Sequence, residues 1–154
     1  MRLLRLPALL VLALVPLAAC GDDDDGGGGG ALSKEEFIEA GDAICREASE
    51  DGQSIDEPAA NDAEDLSRFL EEAIEVVGTA RSDFAALDAP ADGEAVQQLE
   101  VDALADSVAT LEDAKAESDA GDYDAARGIV QAADPEAEAR EPLQEYGFEV
   151  CGAE

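Results

Sequence analysis

The stretch that decides the fold is residues 61–87, NDAEDLSRFLEEAIEVVGTARSDFAAL. Apolar side chains recur in it every three or four residues, which is the spacing of one face of an α-helix. Charged and small residues fill the positions between them, as on the solvent side of an amphipathic helix. We therefore predict one long helix here, with Asn61 and Glu64 as its N-terminal cap. The apolar positions are Leu66, Phe69, Leu70, Ala73, Ile74, Val77, Ala80, Phe84 and Leu87.

The preceding segment predicts helix one, from about residue 34 to residue 50. Ser33 and Glu36 have the spacing of a capping box, and Leu32 with Phe37 has that of a hydrophobic staple. Helical spacing continues through four small or apolar positions, Phe37, Gly41, Ile44 and Ala48, flanked by Ile38 and Cys45.

Two further helices are predicted after residue 92. Helix three carries Val96, Leu99, Ala103, Leu104, Val108 and Leu111, and helix four carries Tyr123, Ala126, Ile129, Val130 and Ala133. Pro135 and Pro142 interrupt the last segment, which is therefore either kinked or divided into two shorter helices. Gly147 has the residue type that ends a helix, and we expect residues 149–152 to be extended.

The fold class that this pattern predicts is all-α. Ala-rich stripes with acidic residues between them fit helices joined by short loops, and no alternating strand pattern competes with them. The expected architecture is an antiparallel four-helix bundle with an extended C-terminal tail.

The N-terminus has the layout of a secretory signal peptide. Arg2 and Arg5 precede an apolar run over residues 6–19. A transmembrane helix is the alternative, but it needs about 20 apolar residues, and this run is shorter and contains Pro7 and Pro16. We therefore expect residues 1–19 to be removed on export.

Residues 17–20, LAAC, resemble the bacterial lipobox, in which the cysteine thiol receives a diacylglyceryl group and the preceding peptide bond is cut. The resemblance implies lipidation of Cys20 and attachment to the membrane on its extracytoplasmic face. Residues 20–31 then form a lipidated, Gly- and Asp-rich flexible tether, and residues 32–154 form the helical domain.

The charge of the mature chain excludes nucleic acid as a partner. The whole chain carries nine basic and 39 acidic residues; removal of Arg2 and Arg5 leaves seven against 39, a formal charge of −32. Phosphate backbones and anionic lipid headgroups are repelled by such a surface, so the lipid on Cys20 alone must hold the protein on the membrane. Weak, non-specific binding of divalent cations is expected.

The mature chain lacks most residues that catalysis and metal binding require. It has no His, so it contains no catalytic triad and no His-ligated zinc or haem. Its acids, such as Glu71, Glu72 and Glu75 on helix two and Glu112, Asp113 and Glu117 on helix three, are expected on solvated outer faces. Residues 118–124 do not match a calcium loop, and Asp122 is better explained as a helix cap. We predict no catalytic residue, metal site or cofactor.

Cys45 and Cys151 are predicted to form the one disulfide of the domain. Export brings them to an oxidising compartment, and lipidation of Cys20 leaves an even pair. In an up-and-down bundle the start of helix one and the end of helix four lie at the same end. A tail that doubles back along helix one can then bring Cys151 to the level of Cys45.

Both ends of the domain resemble a group of small actinobacterial lipoproteins. The resemblance lies in Phe37-Ile38 and residues 42–45, DAIC, and in residues 146–152, YGFEVCG. It implies a helical domain with one cysteine in the first helix and one in the tail. The family has no assigned reaction or ligand, so the resemblance implies a location and a shape.

Three functions remain open. The first is a non-enzymatic envelope protein whose domain binds an envelope protein or a small solute. The second is a binder of divalent cations or a cationic solute, and the third, the least favoured, is a carboxylate-dependent hydrolase.

Overall fold

A computed structural model of the chain describes residues 30–153. Within this range the chain forms five α-helices joined by short loops, and it contains no β-strand. Their bounds are α1 Lys34–Ser54, α2 Ala63–Ala85, α3 Glu94–Asp119, α4 Tyr123–Ala132 and α5 Ala137–Tyr146. The all-α prediction is confirmed. The predicted signal peptide, Cys20 and nearly all of the tether lie outside the described residues.

The predicted fourth helix is two short helices. Extended backbone at Ala133 ends α4, and α5 begins after Pro135, so the second of the two sequence alternatives is correct. Pro142 lies inside α5. Helix one continues about one turn beyond its predicted end, to Ser54.

Side-chain caps start three of the helices. The Ser33 backbone N–H donates to Glu36 Oε2 at 2.9 Å, and the Glu36 N–H donates to Ser33 Oγ at 3.3 Å, which confirms the capping box. Asp122 caps α4, as predicted, by accepting from the Ala125 N–H. The cap of α2 is Asp62 rather than Asn61, because Asn61 takes the left-handed conformation with φ 64° and the Asp62 side chain accepts the Asp65 N–H.

Side-chain hydrogen bonds join α2 and α3 at both ends. Near the start of α3, the Gln97 amide donates to the Phe84 carbonyl in the last turn of α2 at 2.9 Å and to the Leu87 carbonyl just after α2 at 2.8 Å. At the other end, the Ser118 hydroxyl donates to the Ala63 carbonyl at 2.6 Å. The start of α3 therefore lies beside the end of α2, and the end of α3 beside the start of α2.

The core has an aromatic centre and a smaller apolar cluster. The Phe37 ring is fully buried, with its centroid 5.9 Å from that of Phe84 and 5.5 Å from that of Phe148. These edge-on contacts add to the stability that burial of the rings provides. Gly41 permits the packing, because a Cβ there would lie 2.5 Å from a Phe148 ring carbon. The second cluster contains Leu66, Leu70, Ala114 and Ala126.

The buried face of α3 differs from the predicted one. Leu99, expected in the core, is 38% exposed, whereas its neighbour Glu100 is only 4% exposed. Ala103 and Leu104 are buried as predicted. The prediction for Leu99 was wrong because it followed apolar residue types, and here an acid occupies the inward position.

The C-terminal tail is bent around the Asp42 carboxylate rather than extended. Residues 149 and 150 form bends and residues 151 and 152 a turn. Asp42 accepts three backbone N–H groups: that of Glu149 at 3.0 Å, that of Val150 at 2.9 Å and that of Cys151 at 3.0 Å. Asp42 is itself 7% exposed. Gly147, with φ 124°, ends α5 and turns the chain toward α1, as its residue type predicted.

Within residues 30–153, no helix has the length and apolar character needed to cross a lipid bilayer.

We predict that Asp42→Asn destabilises the domain by about 2 kcal/mol or more. The amide removes the negative charge and turns one accepting oxygen into a donor that faces a backbone N–H. Hydrogen bonds to charged groups are worth about 1.5–3 kcal/mol, and a buried unpaired donor costs a similar amount. Urea unfolding followed by circular dichroism measures the change. Glu39→Gln, on an exposed position of the same helix, is the matched control and should stay within about 0.5 kcal/mol of wild type. Equal stabilities of the two variants would contradict the role of Asp42.

Candidate functional site

Cys45 and Cys151 form the disulfide that joins α1 to the tail. Their Cα atoms are 5.4 Å apart, and the two residues are separated by 106 positions in the sequence. Cys45 follows Asp42 by three residues, or nearly one helical turn, so the Asp42 contacts bring Cys151 to the level of Cys45. The predicted pairing is confirmed. In the chain-entropy model, a bridge that closes a loop of this length stabilises the fold by about 4.7 kcal/mol.

A cavity of about 440 Å³ lies beside the disulfide, between α1, α2, α3 and the tail. Its size falls within the usual range for small-molecule sites. The wall is largely apolar and includes Ala48, Val76, Val77, Ala80, Leu104 and Val150. Two acids, Glu100 and Glu136, also line it. A largely apolar wall with few polar groups is the usual composition of a solute site.

Glu100 is the chemically unusual group of this cavity. Its side chain is buried, and among the described residues its one polar contact joins Oε1 to the Cys45 sulfur at 3.8 Å. A disulfide sulfur carries no hydrogen and cannot donate to the carboxylate. Burial, with a smaller contribution from the nearby Glu136 carboxylate, raises the pKa of Glu100 to about 7. A buried, uncompensated acid of this kind marks a candidate functional site.

A second, more open groove of about 240 Å³ runs between α1 and α2 and shares three lining residues with the cavity: Ala48, Val76 and Ala80. Four acids line this groove, namely Glu47, Asp51, Glu75 and Asp83. The negative potential around these acids attracts cations and repels anions.

The two cysteines and Glu100 also have the geometry of a ligand set. Both sulfurs and one Glu100 carboxylate oxygen lie within 4.8 Å of one another. In the disulfide form the sulfurs are not thiolates, and the thiolate is the form that binds metals. The oxidised domain therefore does not bind a metal ion through this set.

The sequence predicted part of this site. Cys45 and Cys151 meet as expected, whereas Cys20 lies outside the described residues. The acids Glu71, Glu72, Glu75, Glu112, Asp113 and Glu117 are exposed, as predicted. Glu100 was missed, although it lies four residues from both Val96 and Leu104 and so shares their helix face. That spacing was the signal that could have revealed it.

No family model, curated protein or solved structure matches this chain.

Titration of Glu100 should make the stability of the domain depend on pH. The carboxyl has its ordinary pKa of 4.5 in the unfolded chain and a pKa of about 7 in the folded one. Below pH 4.5 both states are protonated, and burial of the group costs no charge. As the pH rises from 4.5 through 7, the unfolded chain releases its proton first, so the free energy of unfolding falls. The full loss is about 3 kcal/mol, at 1.36 kcal/mol per pKa unit.

We therefore predict that the unfolding free energy of Glu100→Gln minus that of wild type increases by about 2–3 kcal/mol from pH 5 to pH 8, because wild type loses this stability and the variant does not. Glu112→Gln, an exposed acid on the same helix, is the matched control and should follow wild type at both values. Urea unfolding of the three proteins at each pH measures the difference. A gap between Glu100→Gln and wild type that is the same at pH 5 and pH 8 would show that Glu100 does not titrate in this range.

Proposed function

We propose that this protein is a membrane-anchored extracytoplasmic lipoprotein whose helical domain is a non-enzymatic binding module of the cell envelope. The lipobox-like residues 17–20 and the apolar leader support export and attachment through Cys20. The Gly- and Asp-rich residues 21–30 support a flexible tether. The domain would then lie close to the membrane without inserting into it, because its charge repels anionic headgroups.

The observation that carries the binding function is the apolar cavity with Glu100 in its wall. Above its pKa of about 7, the Glu100 carboxylate is a buried charge to which no group within residues 30–153 donates a hydrogen bond. A cationic ligand group that enters the cavity supplies the missing donor and the opposite charge, while its apolar part contacts the alanine and valine wall. We infer that the solute is a small cationic amphiphile, such as an alkyl amine.

The acidic groove supports the same ligand class. Its four carboxylates are solvated and add little affinity individually, but together they raise the local concentration of cations at the side of the cavity. Discrimination between ligands would come from Glu100, because electrostatic interactions are stronger where water is excluded. This combines the first two sequence hypotheses, a binding module and a site for a cationic solute.

The helix contacts support an antiparallel arrangement of α1, α2 and α3 as the frame of the module. The hydrogen bonds of Gln97 and Ser118 support this arrangement, because the first joins the start of α3 to the end of α2 and the second joins the end of α3 to the start of α2. Phe37, early in α1, packs against Phe84, at the end of α2. In this arrangement α4 and α5 occupy the place of the fourth helix in the expected bundle.

Attachment is tested by Cys20→Ser. We expect this variant to leave the membrane fraction, because a serine oxygen cannot form the thioether to the lipid. Cys151→Ser, which keeps Cys20, is the control and should stay in the membrane fraction. Intact mass should show a diacylglyceryl-bearing mature chain only where Cys20 is present. An unchanged distribution and mass for Cys20→Ser would refute lipidation.

Ligand choice is tested by calorimetric titration with octylamine, octanol and octanoate at pH 8, where Glu100 is ionised. We expect octylamine to bind with one-to-one stoichiometry and at least about 10-fold more tightly than octanol, which is the ratio that a charge-assisted hydrogen bond provides. Octanoate should bind least. Glu100→Gln should remove the preference for the amine, whereas Glu72→Gln, which removes an exposed acid of α2, should retain it. No saturable binding of octylamine, or an unchanged preference in Glu100→Gln, would refute the proposed ligand class.

A further inference from the structure

We propose that reduction of the Cys45–Cys151 disulfide converts it, together with Glu100, into a zinc site. The observation that leads to this site is the grouping of both sulfurs and a Glu100 oxygen within 4.8 Å. Two thiolates and one carboxylate are a ligand set that zinc accepts in tetrahedral geometry. The site therefore exists in one redox state only.

The distances require little movement. In a tetrahedral zinc site, Zn–S bonds of about 2.3 Å place two sulfurs about 3.7 Å apart. The contact between Cys45 Sγ and Glu100 Oε1 is already 3.8 Å, close to the separation of a sulfur and an oxygen on one zinc ion. The sulfurs must only separate from bonding distance, and rotation of the Cys45 side chain toward the adjoining cavity allows this.

The site is held in place by contacts that do not depend on the disulfide. Asp42 binds the N–H groups of residues 149–151, including that of Cys151 itself. Phe148 packs between Phe37 and Phe84. These contacts keep Cys151 beside Cys45 after the bridge opens, so the chain does not have to be ordered again when the metal binds.

The charges around the site favour a divalent cation. Glu100 has no cationic partner among the described residues, and Glu136 also lines the cavity. A zinc ion would offset two of the three negative charges that the buried carboxylate and both thiolates carry together. All three ligand residues line the cavity, so a fourth position would be open to a water molecule from it. Thiolate ligands select zinc over magnesium and calcium, which prefer oxygen ligands alone.

The chemistry balances in two steps. A dithiol reductant transfers two electrons and two protons to the disulfide, which yields two cysteine thiols and the oxidised, cyclic disulfide of the reductant. Zinc then replaces the two thiol protons, which are released to solvent, so binding strengthens as the pH rises.

The test uses the full chain with Cys20→Ser, so that Cys45 and Cys151 are its only thiols, before and after reduction with a dithiol that is then removed anaerobically. Zinc is titrated against a chromophoric chelator. We expect the reduced protein to bind one zinc ion at least about 100-fold more tightly than the oxidised protein, since only the reduced form offers thiolates. Cobalt should give a thiolate-to-metal charge-transfer band and the visible bands of tetrahedral coordination. Equal zinc affinity in both redox states would overturn the proposal.

Two variants distinguish coordination of zinc by Glu100 from non-specific attraction of zinc to the acidic surface. Glu100→Gln should weaken zinc binding by the reduced protein about 10-fold or more, whereas Glu112→Gln should leave it unchanged. Circular dichroism shows whether each protein is folded. In thermal unfolding, zinc should raise the melting temperature of the reduced protein and not that of the oxidised one. A reduced chain that shows neither a cobalt–thiolate band nor stabilisation by zinc would refute the site, and unchanged affinity in Glu100→Gln would refute the role of Glu100.

Discussion

The contact between the Asp42 carboxylate and the three backbone N–H groups of residues 149–151 is the interaction on which the rest of the structure depends. A carboxylate satisfies several converging N–H groups at once, and such charge-assisted hydrogen bonds are stronger than neutral ones. The contact joins the first helix to the last residues of the chain. It brings Phe148 into the aromatic core, where Gly41 leaves room for its ring, and it places Cys151 opposite Cys45. The disulfide then adds a covalent bond between two segments that hydrogen bonds and ring packing have already brought together.

The cavity is a consequence of the same contact. Val150, Cys151, Gly152 and Ala153 form one of its walls, so without the bent tail the space between α1, α2 and α3 would be an open groove. Burial in the wall of this cavity keeps water from Glu100 and, together with the nearby Glu136 carboxylate, raises the pKa of that carboxyl to about 7. The segment that stabilises the fold thus also helps to enclose the cavity that contains Glu100, whose charged form burial destabilises. A buried acid whose charged form lowers the stability of the folded domain is typical of functional sites.

The sequence correctly predicted the features that depend on residue type and spacing along the chain. Helical periodicity located the helices, and residue type identified the caps at Ser33 and Asp122. The number of cysteines, together with the expectation of export, identified the pair Cys45 and Cys151. The failures have a common physical origin. Asp42 and Glu100 are polar residues on buried helix faces, and periodicity treats such positions as interruptions of an apolar stripe. The bends of the tail are imposed by a side chain more than 100 positions away, so the local sequence of residues 149–152 carries no signal for them. Whether α3 buries Leu99 or Glu100 was likewise decided by packing against other helices.

The formal charge of −30 over the whole chain is a poor guide to the ligand class proposed for the domain, and the contrast between exposed and buried carboxylates gives the reason. Exposed carboxylates are solvated and screened by salt, so they attract every cation to a similar degree and do not distinguish one cation from another. Glu100 differs because folding has already removed the water around its carboxylate, at a cost in free energy. A ligand that neutralises the carboxylate would offset that cost. That gain would depend on the shape of the ligand, since the ligand must also fit the largely apolar cavity that Glu100 lines. On the proposed function, the many surface acids concentrate cations near the domain, and Glu100, which unlike the buried Asp42 accepts no backbone N–H among the described residues, selects among them.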